Sequence, residues 1–398
     1  MKCRICNSTK IVKIIDLGKQ PLANKYPKNI REIKKEKKFN LSIFFCKICH
    51  TAQIKNIISR KLMFEEYFYL SSVNKGLRDH FNKLAKKLKK YNFVVDIGSN
   101  DGILLEPLKK NKVKGIGIDP SFNVGKIAND KGLKTYIDFF DKRVINKIIK
   151  EHSKPDILVA SSVVTHLEDP IKFAKNSKFF LKENGILIIE IEYLYNFIKK
   201  LEYERFYFDR PFYYSANSIN YIFQSFDMSL FDIELINIHG SSLRLYIKNT
   251  KVVKKTKRCN EILSKEKKYL NIPTLNKINK KIIKESNSLR NKLSQFKKNG
   301  NKIIGYGAPA RVSTITNFSK INNKLIDYII DDSPIKQNRF TPGSHIKILN
   351  KNKNIRNNIN VVIVFAYEYF KDIKKNFKNI NVKFYKPIPF KKITWNIF

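Results

Sequence analysis

Two stretches of this chain follow the same order: an apolar strand, a turn that contains glycine, a helix, and a second strand that ends in aspartate. The first stretch has Phe-Val-Val-Asp-Ile-Gly at residues 93–98 and Gly-Ile-Gly-Ile-Asp at residues 115–119. The second has Lys-Ile-Ile-Gly at residues 302–305, and an apolar segment at residues 325–330 precedes an Asp-Asp pair. Alternation of strands and helices predicts parallel sheets covered by helices on both faces. We therefore expect an α/β fold with two doubly wound, Rossmann-like sheets.

Four of the five cysteines form two pairs ahead of these sheets, Cys3 with Cys6 and Cys46 with Cys49. Each C-x-x-C pair offers two thiolates on one tight turn, and an alternating stretch at residues 39–45 predicts a strand before the second pair. The pattern predicts a small N-terminal domain with a tetrahedral zinc site. Such a closed site is structural, because no coordination position remains open. The alternatives are unligated thiols or a redox pair.

The charge of the chain bears on the partners it can have. There are 79 Lys and Arg against 34 Asp and Glu, which gives a formal net charge of +45 at pH 7. That charge suits nucleic acid or an anionic membrane, but nucleic-acid binders usually concentrate their cations on one patch or arm. Here the lysines are spread along the whole chain. We interpret most of the charge as a solvated surface that leaves a few cations to bind an anion.

Other features of composition exclude further classes. Hydrophobic residues make up 42% of the chain, which is enough to build cores and argues against a disordered protein. No apolar run reaches the roughly 18–20 residues of a membrane span, and the first ten residues are not of signal-peptide type. Five cysteines are too sparse for a disulfide scaffold. We expect a cytoplasmic monomer that binds neither membranes nor a specific nucleic acid.

The turn after the first strand of the central sheet carries a cofactor signal of the form D-x-G-x-x-x-G. It contains Asp96, Gly98, Asn100 and Gly102, and Asp119 ends the next strand. Glycine lets the backbone turn sharply and approach a ligand, and an acid at the tip of the second strand can accept both ribose hydroxyls. The pattern is typical of enzymes that use S-adenosylmethionine (SAM), and Asp96 would receive the ammonium group. The alternative is a nucleotide-binding sheet that uses another cofactor.

At this point the chain resembles a known family, the SAM-dependent C-methyltransferases of nucleotide-linked deoxysugars (the tetronitrose and related sugar C-3-methyltransferases). The residues that carry the resemblance are spread over nearly the whole chain. They are Asp-Leu-Gly at 16–18, Pro-Leu-Ala-Asn at 21–24, Tyr-Leu-Ser-Ser at 69–72, Glu-Ile-Glu-Tyr-Leu at 190–194, Tyr-Tyr-Ser at 213–215, His239-Gly240, and the strings at 305–311, 316–318, 331–337 and 341–346.

The resemblance implies a domain organisation and a reaction. The domains would be a zinc-binding domain over residues 1–72, a SAM-dependent methyltransferase domain over 73–252, a helical connector over 253–300 and a sugar-nucleotide-binding domain over 301–398. The substrate would be a 4-keto-deoxysugar linked to a nucleotide, typically dTDP. A base would remove the hydrogen at C-3, which the keto group acidifies, and the enolate would take the methyl group.

The family places its acid–base residues in a Tyr-x-Glu-His string, and this sequence departs from it. Tyr207 matches the tyrosine, Asp209 replaces the glutamate, and Arg210 stands in place of the histidine. Arginine stays protonated and is an implausible base. We hypothesise that Arg210 stabilises the enolate or a Tyr207 phenolate, and that Tyr207 or His239 takes the proton.

The resemblance also points to residues around the ligands. His166, just after a strand, is expected near the cofactor, and Arg311 replaces a family lysine behind a glycine turn that can hold a phosphate. The residues expected to bind the substrate are Tyr69, Ser72, Arg244, Gly305, Tyr306, Gly307, Arg311, Asn317 and Lys336.

Three other functions remain open at this stage. The change to Asp209 and Arg210 is compatible with methyl transfer to another atom or sugar. The charge is compatible with a zinc-containing nucleic-acid-binding protein or an RNA methyltransferase, whose binding would weaken steeply with salt. A protein that has lost catalysis and only binds a sugar nucleotide would show no turnover.

Overall fold

Three sheets organise the chain in the computed structural model, which describes residues 1–58, 70–238, 240, 242–352, 354–355, 358–378 and 380–393. Two predicted site residues, Tyr69 and His239, lie outside the described residues. Within that part of the chain, no helix combines the length and the apolar character that crossing a membrane requires.

The first sheet is antiparallel and carries the paired cysteines. Its strands are β1 (Ile11–Pro21), β2 (Lys38–Cys46), β3 (Ala52–Ile54) and β9 (Phe212–Tyr213), and helix α1 (Ile30–Lys35) lies between β1 and β2. They are hydrogen-bonded in the order β1-β2-β3-β9. The strand β9 lies far beyond the predicted boundary at residue 72, so a segment of the central region completes the N-terminal sheet. Its pairing covers the edge that β3 would otherwise leave open.

The central sheet is the larger of the two parallel ones. Its strands are β4 (Phe93–Ile97), β5 (Lys114–Ile118), β6 (Thr135–Tyr136), β7 (Ile157–Ser161), β8 (Ile186–Glu192), β10 (Ser229–Ile236) and β11 (Ser242–Lys248). Their order is β10-β11-β8-β7-β4-β5-β6, with the pairs from β6 to β8 parallel and the β10–β11 hairpin antiparallel. The direction of the winding reverses between β4 and β7. Ligands of doubly wound sheets bind at the carboxyl ends of strands at such a reversal.

Helices cover both faces of the central sheet, as the alternating pattern predicts. They are α2 (Lys75–Leu88), α3 (Leu105–Lys110), α4 (Phe122–Asp130), α5 (Lys142–His152), α6 (Pro170–Phe180), α7 (Leu194–Lys199) and α8 (Ala216–Gln224). The helix α2 shows why these segments are helical. Leu77, Phe81, Leu84 and Leu88 recur every three or four residues and are buried on one face, and Asn74 caps the first turn through the Leu77 N–H.

Two helices, α9 (Lys257–Tyr269) and α10 (Ile272–Lys298), connect the central sheet to the last one. The break falls at Asn-Ile-Pro at residues 271–273, where the Asn271 side chain accepts a hydrogen bond from the Thr274 N–H. The apolar side chains of α10 that recur every three or four residues, such as Leu275, Ile278 and Ile282, are buried on one face. Glu266 of α9 is fully buried and accepts hydrogen bonds from the N–H groups of Ala216 and Asn217, which fixes the connector to the start of α8.

The third sheet is doubly wound as well, and together with the central sheet it confirms the predicted α/β class. Its strands are β12 (Ile303–Tyr306), β13 (Ile329–Ile330), β14 (Ile348–Leu349), β15 (Val361–Val364), β16 (Lys383–Lys386) and β17 (Lys391–Lys392). The order is β14-β13-β12-β15-β16-β17, with helices α11 (Arg311–Phe318) and α12 (Phe370–Lys375) between strands. The strand predicted at residues 325–330 is shorter, because Leu325 and Ile326 donate to the Asn322 carbonyl in a turn.

Candidate active site

A cavity of about 530 Å³ lies at the carboxyl ends of β4, β5, β7 and β8. Among the residues that line it are five that the sequence assigns to a cofactor: Asp96, Gly98, Asn100, Asp119 and His166. Arg210, which the sequence assigns to catalysis, lines the same cavity. The cavity has the size of a small-molecule site and sits where the winding of the sheet reverses. The fold therefore brings most of the predicted cofactor residues and one predicted catalytic residue, Arg210, to one place.

The glycines of the turn after β4 are required by space as well as by conformation. Gly98 has φ +72°, and a Cβ there would lie 2.4 Å from Cγ2 of Val163. Gly102 has φ +83°, and a Cβ there would lie 2.5 Å from Cδ1 of Leu133. Gly98 lines the cavity, whereas Gly102 is not among its lining residues and shapes the turn from behind.

Asp119 is fixed at the tip of β5 by the backbone around it. One carboxylate oxygen accepts the Asn100 N–H at 2.9 Å and the other accepts the Ser121 N–H at 2.9 Å. Each carboxylate oxygen can accept a further hydrogen bond. A pair of adjacent hydroxyl groups, as in a ribose, fits this arrangement.

Asp96 is the second acid of the cavity and has a different environment. Burial, with the nearby carboxylates of Asp119 and Glu190, raises its pKa well above the ordinary range. A cationic group that enters the cavity would stabilise the charged form of Asp96. The ammonium group of an amino-acid moiety is such a cation, so Asp96 and Asp119 together fit the two ends of SAM.

A short 3-10 helix, Ser71–Val73, covers the glycine turn. The Ser71 N–H donates to the Asn100 side chain at 3.0 Å, and Ser72 donates to Asp101 through both its N–H and its hydroxyl. Ser71 lines the cavity. The structure thus places the predicted substrate residue Ser72 against the turn that carries the cofactor motif.

His166 has a defined tautomer in the cavity wall. Its Nδ1 lies 2.9 Å from the backbone carbonyl of Asp209, which can only accept a hydrogen bond, so Nδ1 carries the proton. In the neutral ring the lone pair is then on Nε2. His166 and the segment that holds Arg210 are thereby connected through Asp209.

Arg210 is held in the cavity wall by two neighbours. Its guanidinium donates to Glu192 in a mostly buried ion pair and lies 4.9 Å from the centre of the Tyr207 ring. A fixed, permanently charged group at the wall can stabilise an oxyanion that develops beside it. Glu192 also lines the cavity and was not among the predicted site residues.

The hypothesis of a Tyr207 phenolate meets an opposing effect. Arg210 acts in the expected direction, but burial outweighs it and the pKa of Tyr207 is raised above its ordinary value. The phenol therefore stays protonated at neutral pH, which is a correction to the expectation that the neighbouring cation would favour ionisation.

The Asp209 side chain faces the N-terminal region. Its carboxylate accepts a hydrogen bond from the Asn24 amide at 2.7 Å, and burial raises its pKa. Nearby, the Tyr26 hydroxyl donates to the Ala308 carbonyl at 2.7 Å, and Lys336 donates to the same carbonyl at 2.9 Å. The three sheet-bearing regions meet at this point.

The structure places Gly305, Tyr306 and Gly307 in the packing of the third sheet. A Cβ at Gly305 would lie 2.7 Å from Ile329, and one at Gly307 would lie 2.3 Å from Ala366. The buried Tyr306 donates to Asp332 and accepts from Asn376 at 2.8 Å. Contacts between strands account for these residue types, which corrects the expectation of direct ligand contact for the Tyr306 side chain.

Two further predicted substrate residues are engaged elsewhere. Arg311 forms two 2.8 Å contacts with Glu368 through one terminal nitrogen and lies over the Tyr367 ring, so Glu368 already balances its charge. The Asn317 amide donates to the carbonyls of Ser313 and Pro342, within the third region.

Arg244 lies in an ion-pair network inside the central region. It is 4% exposed and donates to Glu190 at 2.6 Å and to Glu234 at 3.2 Å. Glu190 also lies 2.9 Å from His80 and accepts from Ser161 at 2.6 Å. This burial corrects the expectation of a substrate contact for Arg244, whose charge is taken up by two glutamates.

The same network predicts a loss of stability in acid. Burial alone would raise the pKa of Glu190, but the His80 hydrogen bond and the Arg244 charge outweigh it and lower the pKa from 4.5 to about 2. The ionised form then contributes about 3 kcal/mol, fully present above pH 4.5 and lost as the pH falls towards 2. We expect Glu190→Gln to destabilise the protein by that amount at pH 7 and by less in acid.

Urea unfolding of the wild type and of Glu190→Gln between pH 7 and pH 3 measures the difference in their free energies of unfolding. Glu183→Gln is the matched control, since Glu183 is exposed. A difference between wild type and Glu190→Gln that stays constant over the whole pH range would contradict the assignment.

The four predicted zinc ligands form a cluster at the end of the first sheet. The Sγ atoms of Cys3, Cys6, Cys46 and Cys49 all lie within 4.8 Å of one another, and two of the pairs are 3.6 and 3.5 Å apart. Tetrahedral Zn–S bonds of about 2.3 Å place sulfurs roughly 3.8 Å apart. The donor set and its spacing therefore fit a structural zinc ion. Cys259 is buried in α9, apart from the cluster.

Comparison with known proteins gives three family matches along the chain. A family described as a zinc binding domain matches residues 3–64, a methyltransferase domain matches 69–232, and a C-methyltransferase C-terminal domain matches 237–389.

Individual relatives match over different lengths. The C-methyltransferase NovU of Streptomyces niveus is 22% identical over 98% of this chain and 95% of its own length. A ubiquinone biosynthesis O-methyltransferase of Pelagibacter ubique is 30% identical over 24% of this chain, which covers 40% of that protein. Among solved structures, magnesium protoporphyrin IX methyltransferase of Synechocystis with bound SAM is 15% identical, with a TM-score of 0.34 over 44% of this chain and 79% of that one.

Proposed function

We propose that this chain, which is a SAM-dependent methyltransferase with a zinc-binding domain and a C-methyltransferase C-terminal domain, methylates a carbon atom of a nucleotide-linked 4-keto sugar. The similarity to a C-methyltransferase runs over 98% of the chain. The match to the O-methyltransferase covers 24% of it. The sugar nucleotide is supported by the resemblance of the strings at residues 305–311, 331–337 and 341–346 to the deoxysugar enzymes.

The observation that carries the proposal is the meeting of His166 and Arg210 in the wall of the cofactor cavity. Transfer to carbon needs a base that removes a C–H proton next to a carbonyl and a cation that stabilises the enolate oxygen. A histidine with its lone pair on Nε2 supplies the first, and a guanidinium held by Glu192 supplies the second. Both act at the same end of one cavity.

The roles of the chain's own residues follow from these positions. When bound, SAM would supply an electrophilic methyl group, and Asp96 and Asp119 would hold its two ends. His166 accepts the C-3 proton at Nε2, while the Asp209 carbonyl keeps the ring in the required orientation. Arg210 neutralises the enolate oxygen, and Glu192 and the Tyr207 ring keep the guanidinium in place. In this scheme the base is His166, in place of the Tyr207 or His239 expected from the sequence.

The nucleotide would lie between the central and third regions. Lys336 lies beside the Gly307 turn, because it donates to the carbonyl of Ala308. Helix α11 begins at Arg311, directly after this turn, and its first N–H groups favour a phosphate. The diphosphate would therefore lie between Lys336 and the start of α11, where Glu368 already balances the charge of Arg311.

The test uses purified protein, methyl-labelled SAM and a panel of 4-keto sugar nucleotides. The label is expected on C-3 of the sugar, and in D₂O with S-adenosylhomocysteine in place of SAM the C-3 hydrogen is expected to exchange. The same sugar nucleotides with a 4-hydroxyl group are the control and are expected to show neither. A label on oxygen or nitrogen, or no turnover across the panel, would rule the proposal out.

A further inference from the structure

The segment that carries Asp209 and Arg210 is surrounded by residues of the zinc-binding domain. Arg210 is followed by Pro211 and then by β9, which pairs with β3 through Ala52–Tyr213 and Gln53–Phe212. The Ile54 N–H also donates to the Pro211 carbonyl at 3.1 Å. The backbone next to Arg210 therefore belongs to the sheet of another domain.

Arg4 adds a second contact from inside a cysteine turn. It lies between Cys3 and Cys6, and its guanidinium donates to the Ile54 carbonyl at 2.9 Å and to the Pro211 carbonyl at 3.4 Å. The guanidinium also stacks over the Phe212 ring at 5.1 Å. One side chain thus connects the first cysteine turn, β3 and the residue after Arg210.

Asn24 holds the other end of the same segment. It follows β1 of the zinc-binding domain, and its amide donates to the Asp209 carboxylate at 2.7 Å. The backbone carbonyl of Asp209 is the group that orients His166. Asn24 therefore acts on the residue that sets the direction of the proposed base.

The second cysteine turn reaches the chain just beyond β9. The His50 carbonyl, next to Cys49, accepts hydrogen bonds from Ser215 at 3.2 Å and from Ser218 at 2.7 Å. Both cysteine turns thus contact the stretch that begins at Asp209. A metal ion that binds all four thiolates would fix the two turns relative to each other, and with them this stretch.

We propose that Arg4 and Asn24 are positioning residues for the active site, so that zinc bound by the N-terminal domain sets the geometry of Arg210 and His166. The inference rests on the proposed function for the roles of those two side chains. A displacement of about 1 Å can cost about 100-fold in rate, so loosening this stretch lowers kcat more than it changes the KM for SAM.

The experiment compares Arg4→Ala and Asn24→Ala with Lys47→Ala, which removes a cation from the exposed centre of the second cysteine turn. Zinc content, hydrogen–deuterium exchange of residues 206–218 without substrate, kcat and KM are measured on the full chain. Both variants are expected to keep their zinc, to exchange faster in that stretch and to lose about 10- to 100-fold in kcat, with the KM for SAM nearly unchanged. Arg4→Lys is expected to recover part of the loss, and Lys47→Ala to behave as wild type.

Chelation of zinc from the wild-type protein is the second arm. Exchange in residues 206–218 is expected to rise well before exchange in β4 and β5. The proposal is overturned if zinc-loaded variants keep wild-type exchange and kcat, or if chelation leaves residues 206–218 protected. If Arg4→Ala loses its zinc, the exchange and kcat of Asn24→Ala test the proposal instead. The described side-chain partner of Asn24 is Asp209 and not a cysteine. Hydrogen–deuterium exchange is measured without a sugar substrate. A failed turnover assay would therefore contradict the proposed function, while the positioning role of Arg4 and Asn24 would still be tested by exchange.

Discussion

Replacement of His166 by glutamine is expected to lower kcat by about 10²- to 10⁴-fold, the usual contribution of a general base. Glutamine keeps a polar amide of similar size near the position of Nε2, but it offers no basic nitrogen. The affinity for S-adenosylhomocysteine is expected to stay within a few-fold of the wild type.

Binding of S-adenosylhomocysteine by calorimetry and single-turnover methyl transfer measure the two effects separately. His152→Gln is the control, because His152 ends α5 away from the cavity. If His166→Gln loses cofactor affinity and rate to the same extent, the cofactor-binding role predicted from the sequence is correct and His166 is not the base.

Replacement of Gly98 by alanine is expected to reduce the affinity for S-adenosylhomocysteine about 100-fold, since the β-branched side chain of Val163 is stiff and relieves the clash poorly. The new Cβ would lie 2.4 Å from Cγ2 of Val163, and both residues line the cavity. The backbone at Gly98 has φ +72°, which adds strain for any other residue.

The chain offers one control for the backbone strain and one for the clash with Val163. Gly300 has φ +75° with no atom within 4 Å of an added Cβ, so Gly300→Ala has the strain without the clash and is expected to bind normally. The double variant Gly98→Ala/Val163→Ala removes Cγ2 and leaves Val163 Cβ as the nearest atom at 3.8 Å. It is expected to recover most of the affinity. Equal loss in the single and double variants would show that the clash is not the cause.

The part of the site that the sequence predicts well is local. Asp96, Gly98 and Asn100 follow one another in a strand and its turn, and Asp119 ends the next strand, so a short pattern determines all four. The same holds for the cysteine pairs and for the break between α9 and α10, where Asn271 and Pro273 are two residues apart. In each case the physical cause lies within a few residues of the effect.

The rest depends on contacts between distant parts of the chain. Arg311 was predicted to be open to a phosphate, but its partner Glu368 lies 57 residues away, and nothing local indicates the pair. Glu192 reaches the cavity only because β8 lies beside β7, which is a matter of strand order. Its position two residues after Glu190, at the end of an apolar strand, is the signal that could have pointed to it.

The strand β9 escaped prediction because two residues are too short to show alternation. Its pairing with β3 joins positions about 160 residues apart, so the N-terminal sheet cannot close until that length of chain has been made. At about 5–20 residues per second, translation takes on the order of 10–30 s to supply it. During this time the cysteine turns are available to zinc while β3 still lacks its neighbour. The zinc-binding domain is thus finished only after much of the central region has been made, and the arrival of β9 completes its sheet and places Arg210 in one event.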